Sequence, residues 1–96
     1  KLKGQIHIAW DNPNDDMYIR LKEIIKIIPA YKLMCYVLVG YNTTEEEDLH
    51  RIFKLRKIKV DPFVMPYNKK NPYQKRLARW CNHKAIFKTV AWEDYK

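Results

Sequence analysis

A chain of 96 residues is shorter than most single domains and far short of the about 250 residues of a closed eight-fold barrel, so it builds one small core. Hydrophobic residues at 47% and aromatics at 14% exclude a disordered polymer, and no apolar run approaches the roughly 20 residues of a bilayer span. Lys and Arg outnumber Asp and Glu by 19 to 11, a net charge of +8 that admits an anionic partner without naming one.

Gln5 to Trp10 alternates in polarity and runs into Asp11-Asn12-Pro13-Asn14, residues that favour turns over ladder pairing, which predicts a first strand. From Asp16 onward Met17, Leu21, Ile24, Ile25 and Ile28 recur at helical spacing. Asp15 or Asp16 can cap this first helix and Pro29 stops it. Leu33 to Gly40 is continuously apolar, as expected of a central strand covered by helices on both faces of a parallel sheet.

Thr43-Thr44-Glu45-Glu46-Glu47 offers a capping box, with Thr accepting from the backbone and Glu46 or Glu47 reaching back. Leu49, Ile52, Phe53 and Leu55 continue the second helix. Val60 to Met65, closed by Pro66, reads as a third strand. After a polar loop to Pro72, a last helix is expected from about Tyr73 to Phe87, burying Leu77, Trp80, Cys81 and Phe87 or Ile86, with one more turn between Thr89 and Lys96. The class is α/β, with three parallel strands alternating with helices in the order β-α-β-α-β-α, and right-handed crossovers make the three strands neighbours.

Cys35 and Cys81 fall inside strand-like and helix-like runs with no metal spacing, and are expected to be reduced, buried thiols. His7, His50 and His83 are scattered without carboxylate or cysteine partners at ligand spacing, so no metal site is expected there. His7 alternates with Ile6 and Ile8 and is expected to face a helix. No signal peptide or membrane anchor is visible, and the expectation is a cytoplasmic protein. The start at Lys1, close to a strand and without methionine, is expected of a fragment.

The run Tyr36-Val37-Leu38-Val39-Gly40-Tyr41-Asn42-Thr43-Thr44-Glu45-Glu46-Glu47 resembles a late strand and following loop of radical S-adenosylmethionine (SAM) domains. Asn42 and Thr43 stand where many of those proteins have proline and glycine. Val60-Asp61-Pro62-Phe63-Val64-Met65-Pro66-Tyr67-Asn68, Asn71-Pro72-Tyr73-Gln74-Lys75-Arg76 and Trp80-Cys81-Asn82-His83-Lys84 are similar to the C-terminal end of the same superfamily.

The resemblance implies that residues 1–96 are a single-domain fragment, the C-terminal half of a partial (β/α)6 TIM-like barrel. The family's Cys-x3-Cys-x2-Cys loop, which holds a [4Fe–4S] cluster, is absent from this sequence. The full-length parent is therefore implied to carry SAM and the cluster, while this stretch is not catalytic alone and forms pocket wall and barrel closure. In parallel barrels ligands sit at the C-terminal strand ends. There the resemblance implies SAM contacts at Val39, Gly40, Tyr41, Asn42, Val64, Met65 and Asn68, and substrate contacts at Trp10, Asp11 and Tyr67.

Each residue also has a plainer reading. Asp11 sits in an ordinary turn sequence, Asn42 and Asn68 suit turns, and Tyr41 and Tyr67 can be simple packing. Gly40, lacking a Cβ, suits close approach of a ligand or of backbone. Lys69, Lys70, Lys75, Arg76, Arg79, Lys84 and Lys88, interleaved with Tyr73, Trp80 and Phe87, offer the alternative of a small basic nucleic-acid-binding module over 69–88. The competing arrangement buries the rings and solvates the cations. The expected partners are the remainder of the parent barrel and further copies of the chain, joined through open sheet edges or exposed helix stripes.

Overall fold

The computed structural model describes residues 5–10 and 17–95. The turn residues Asp11 to Asn14, the capping candidates Asp15 and Asp16, and with them the candidate contact Asp11, lie outside the described residues. The elements are β1 (Ile6–Ala9), α1 (Met17–Ile24), β2 (Leu33–Val39), α2 (Glu45–Lys57), β3 (Asp61–Pro66), α3 (Pro72–Asn82) and α4 (Lys84–Thr89), with short 3-10 turns at Ala30–Lys32 and Trp92–Asp94. The strands form one parallel sheet in the order β1-β2-β3, with Ile8 opposite Cys35 and Tyr36 opposite Phe63.

The helices cover one face of this sheet. Leu33, Cys35, Val37 and Val39 are fully buried with Leu21 of α1, Ile52 and Leu55 of α2, Leu77 and Trp80 of α3 and Phe87 of α4. The alternate residues of β2, Met34, Tyr36 and Leu38, are only half-buried and stand outside that core. Two-sided coverage of β2, expected from its unbroken apolar run, is therefore not found among the described residues. Strands added in chain order by crossovers of one hand carry their helices to one side. His7 also lies away from the helices, where its Nδ1 sits 2.9 Å from the Tyr36 hydroxyl and the rings are 4.9 Å apart.

α1 ends at Ile24, sooner than its apolar stripe suggests, although the Ile28 N–H still reaches the Ile24 carbonyl at 2.8 Å. The expected helix from Tyr73 to Phe87 is broken at His83, whose extended backbone ends α3 and whose Nδ1 accepts from the Ile86 N–H to start α4. Leu77, Trp80, Cys81 and Phe87 are buried as expected. The break lets Phe87 meet Trp80 at 4.8 Å, and brings Trp92 against the same indole at 5.3 Å. The Trp80 Nε1–H donates to the Val90 carbonyl at 2.8 Å, so this polar handle is satisfied inside the core.

α2 buries Asp48, Arg51, Ile52 and Leu55, while Phe53 is exposed and Leu49 half-buried. The inward stripe is thus rotated from the apolar one the sequence suggests, and two charges take the place of hydrophobes. The capping box forms between Thr44 and Glu47: Oγ1 accepts from the Glu47 N–H at 3.1 Å and the Glu47 carboxylate accepts from the Thr44 N–H at 2.9 Å.

Candidate functional site

The C-terminal ends of β2 and β3 are fixed by a buried polar cluster. Asp48 and Arg51 are both 0% exposed, one turn apart on α2, with Arg51 donating to Asp48 Oδ1 at 2.7 Å. The same guanidinium donates to the Trp10 carbonyl at 2.7 Å and the Leu38 carbonyl at 2.9 Å, tying the ends of β1 and β2 to the helix. Asp48 accepts from the Thr43 hydroxyl at 2.8 Å, the Gly40 N–H at 3.2 Å and the Tyr73 hydroxyl at 3.1 Å. One carboxylate thereby orders the loop after β2 and the first turn of α3. Burial, and then the charge of Asp48, push the Tyr73 phenol well above the usual tyrosine range, so it stays a proton donor.

The loop begins at Gly40, with φ +81°, a left-handed conformation that glycine adopts without strain. A Cβ there would come within 2.0 Å of the Gln74 side-chain amide. The close approach expected at Gly40 is therefore made by Gln74 of α3, whose Oε1 in turn accepts from the Asn68 N–H at 2.7 Å. Gln74 latches the loop after β2 to the loop after β3. Asn71 accepts from the Gln74 N–H at 3.1 Å and Pro72 follows at the first helical turn, which fixes where α3 starts.

Above this latch Tyr41 and Tyr67 stand side by side, ring centroids 4.8 Å apart, and are 54% and 61% exposed. Asn42 is exposed and adopts φ 54°, also left-handed. Asn68 is exposed and spends its Oδ1 on the Lys70 N–H at 3.0 Å, a local turn bond. The Tyr67 N–H pairs with the Val39 carbonyl at 3.0 Å, carrying the ladder one residue past β3. Val39, Gly40, Tyr41, Tyr67 and Asn68 are thus brought together, with Asn42 on the same loop as Tyr41.

Other candidates are placed differently. The Val39 and Val64 side chains point into the helix-side core, and the Val64 N–H and carbonyl are both taken by the Asn82 side chain, at 2.7 and 3.1 Å. Met65 lies beside Leu38 in the sheet register and, like it, stands outside the core. Trp10 is buried at 3% exposure, so its indole belongs to the core and not to a surface at the strand ends.

The face of the sheet away from the helices is aromatic and apolar. His7 contacts Tyr36, and Tyr36 meets Phe63 edge-on at 5.5 Å. Leu38 and Met65 continue this face toward the Tyr41 and Tyr67 end. The rings of the basic 69–88 stretch are arranged otherwise: Trp80 and Phe87 are buried and Tyr73 is half-buried, while Lys69, Lys70, Lys75 and Arg79 are exposed without them. Arg76 stacks on Trp92 at 4.4 Å.

The sequence reading missed Asp48, Arg51, Tyr73 and Gln74 as organisers of this end. Asp48, Arg51, Ile52 and Leu55 at i, i+3, i+4 and i+7 are a helical stripe, visible once a charge pair is allowed to be part of it. No described helix is long and apolar enough to cross a membrane. Comparison with protein-family models, with curated proteins and with solved structures finds no match to this chain.

Proposed function

We propose that this chain is the closing section of a radical SAM barrel, three β-α units of a partial (β/α)6 barrel that wall the SAM and substrate pocket. The observation that carries the reading is the one-sided sheet. Helices pack on Leu33, Cys35, Val37 and Val39, while the face bearing His7, Tyr36, Leu38, Phe63 and Met65 has no cover among the described residues. In a parallel barrel the helix-free face is the interior, and its side chains line or fill the space below the strand ends.

The residues at the strand ends fit SAM in part. The exposed Tyr41 and Tyr67 rings offer planar faces for an adenine, with Asn42 beside them for polar contacts. The Cβ-free space at Gly40 is filled by Gln74, so Gly40 serves the loop and not the ligand. The cluster does not fit this chain: Cys35 and Cys81 are both buried in the helix-side core. Burial also pushes the Cys81 thiol far up, opposite to what a thiolate ligand needs. In this reading the iron and its cysteines belong to another stretch of polypeptide, and the parent enzyme cleaves SAM reductively to abstract a substrate hydrogen.

The test is made on the full-length polypeptide that carries this chain, purified without oxygen and supplied with iron and sulfide. Reductive conversion of SAM to 5′-deoxyadenosine and methionine is expected, with Tyr41→Ala and Tyr67→Ala each weakening SAM binding about tenfold. A reading frame with no Cys-x3-Cys-x2-Cys loop upstream of this stretch, or a reconstituted protein that leaves SAM intact, overturns the proposal.

A further inference from the structure

At the opposite end of the sheet, where the chain enters β2 and β3, lies a cavity of about 580 Å³, within the range of roughly 300–1,000 Å³ typical of small-molecule sites. Val60 and Phe87 supply apolar lining, and Tyr31, 68% exposed, stands at its side. Three cations from two helix ends complete it: Arg56 and Lys59 at the end of α2, and Lys88 in α4. The acid in the lining, Asp61, is occupied by Gln5 at 2.8 Å and Lys84 at 3.4 Å, with Lys88 at 4.0 Å. The balance of charge facing the space is positive.

Two of these cations make no hydrogen bond or ion pair among the described residues, and one of them is held by stacking. The Arg56 guanidinium lies over the Trp80 and Phe87 rings, 5.8 and 5.6 Å from their centroids. Lys59 occupies the left-handed position that closes α2, with φ 66°, its N–H bonded to the Arg56 carbonyl and the next N–H, of Val60, bonded to that of Leu55. Glycine is the residue that closes a helix this way without strain, yet a lysine stands here. Neither the Arg56 guanidinium nor the Lys59 ammonium has a hydrogen bond or ion pair among the described residues. A stacked guanidinium and two further cations around an apolar floor are what recognition of an anion with a flat hydrophobic body requires.

We infer that this cavity binds a phosphate joined to a planar ring, the chemistry of a nucleotide. The phosphate sits on Arg56, Lys59 and Lys88, and the ring lies against Tyr31 and the apolar floor. This site is separate from the strand-end loops of Tyr41 and Tyr67, and it stands whether or not the barrel reading does. A free nucleotide and the phosphorylated end of a single strand present the same group.

The chain, labelled with nitrogen-15, is titrated with adenosine monophosphate, adenosine, inorganic phosphate and a 5′-phosphorylated oligothymidylate. Adenosine monophosphate is expected to shift the amide signals of Tyr31, Lys59, Val60 and Phe87, with adenosine and phosphate each binding about tenfold more weakly or worse. Lys59→Gly relaxes the backbone while removing the charge, and Arg56→Gln removes the fork. Each should weaken binding about tenfold, and Lys75→Gln, which removes an exposed cation of α3 outside the lining, should leave it unchanged. A strand source is indicated if the oligonucleotide binds more than about tenfold tighter than the monophosphate with a steep salt dependence, and a free nucleotide if the two bind alike. No shift at these residues up to roughly 5 mM ligand, or shifts that Lys59→Gly leaves unaltered, overturn the inference.

Discussion

Asp48 and Arg51 form an ion pair at 2.7 Å with neither side chain reaching solvent, and between them they bond β1, β2, α3 and the loop after β2. The cluster has one orphan, Arg51 Nε, which finds no acceptor among the described residues. A buried pair repays its desolvation only when its remaining lone pairs and protons are used, and here nearly all of them are.

Removing one partner leaves the other buried and charged, so Asp48→Asn or Arg51→Ala should each cost about 3–5 kcal/mol in urea unfolding. Replacing both at once, as Asp48→Leu with Arg51→Met, should cost markedly less than the two singles combined. Additive losses would show that the pair acts as two unrelated sites.

Gly40 cannot be replaced cheaply. Gly40→Ala forces a Cβ into a left-handed backbone, a cost of about 1–2 kcal/mol, and also displaces the Gln74 amide that latches Asn68. The expected loss is about 2 kcal/mol or more, read by denaturant melts, with the amide signals of Asn68 and Tyr67 moving in the same variant.

Stability should fall as the solution is made alkaline. Burial raises the Cys81 thiol, and burial with Asp48 raises the Tyr73 phenol, so both keep their protons in the fold while the unfolded chain releases them. The native state then binds more protons than the unfolded one, and unfolding free energy declines above about pH 8.5 for the thiol and about pH 10 for the phenol. Cys81→Ala should flatten the first part of that decline and Tyr73→Phe the second. A profile that stays level to pH 11 in the native chain would contradict the burial of both groups.

The two free sides of the sheet should behave differently. Asn82 reads the Val64 N–H and carbonyl as a neighbouring strand would, which blunts the edge of β3. Asn82→Ala exposes that edge and should cost about 1–2 kcal/mol while promoting self-association. Phe63→Glu, on the uncovered face, should change stability by less than about 0.5 kcal/mol and shift the chain toward monomer in sedimentation. A native chain that stays strictly monomeric at high concentration would count against any cover for that face.

Much of the architecture was readable from local signals. Alternating and continuous apolar runs marked β1 and β2, Pro66 closed the run read as β3, the Thr44 and Glu47 box marked the start of α2, and α3 starts at Pro72, one residue before the expected Tyr73. The crossover order made a parallel sheet in chain order the expected topology, and it is the one observed. The inward face of α2 was not legible, because Phe53 looks more interior than Arg51 when residues are weighed singly. The guanidinium goes inward only because carbonyls of Trp10 and Leu38, far apart in the chain, wait there to accept from it.

The site shows the same division. That residues 39–42 and 65–68 would stand together follows from sequence, since adjacent parallel strands bring their C-terminal ends side by side. What fills the space at Gly40 did not follow, because Gln74 arrives from α3 through a three-dimensional approach no spacing encodes. The chain's amino-acid order thus determined which segments are strands and helices and how they alternate, through periodicity and caps acting over a few residues. Only the tertiary structure decided which face of β2 the helices take, where the buried charges meet and which cations surround a cavity, because those depend on distant groups sharing one small volume.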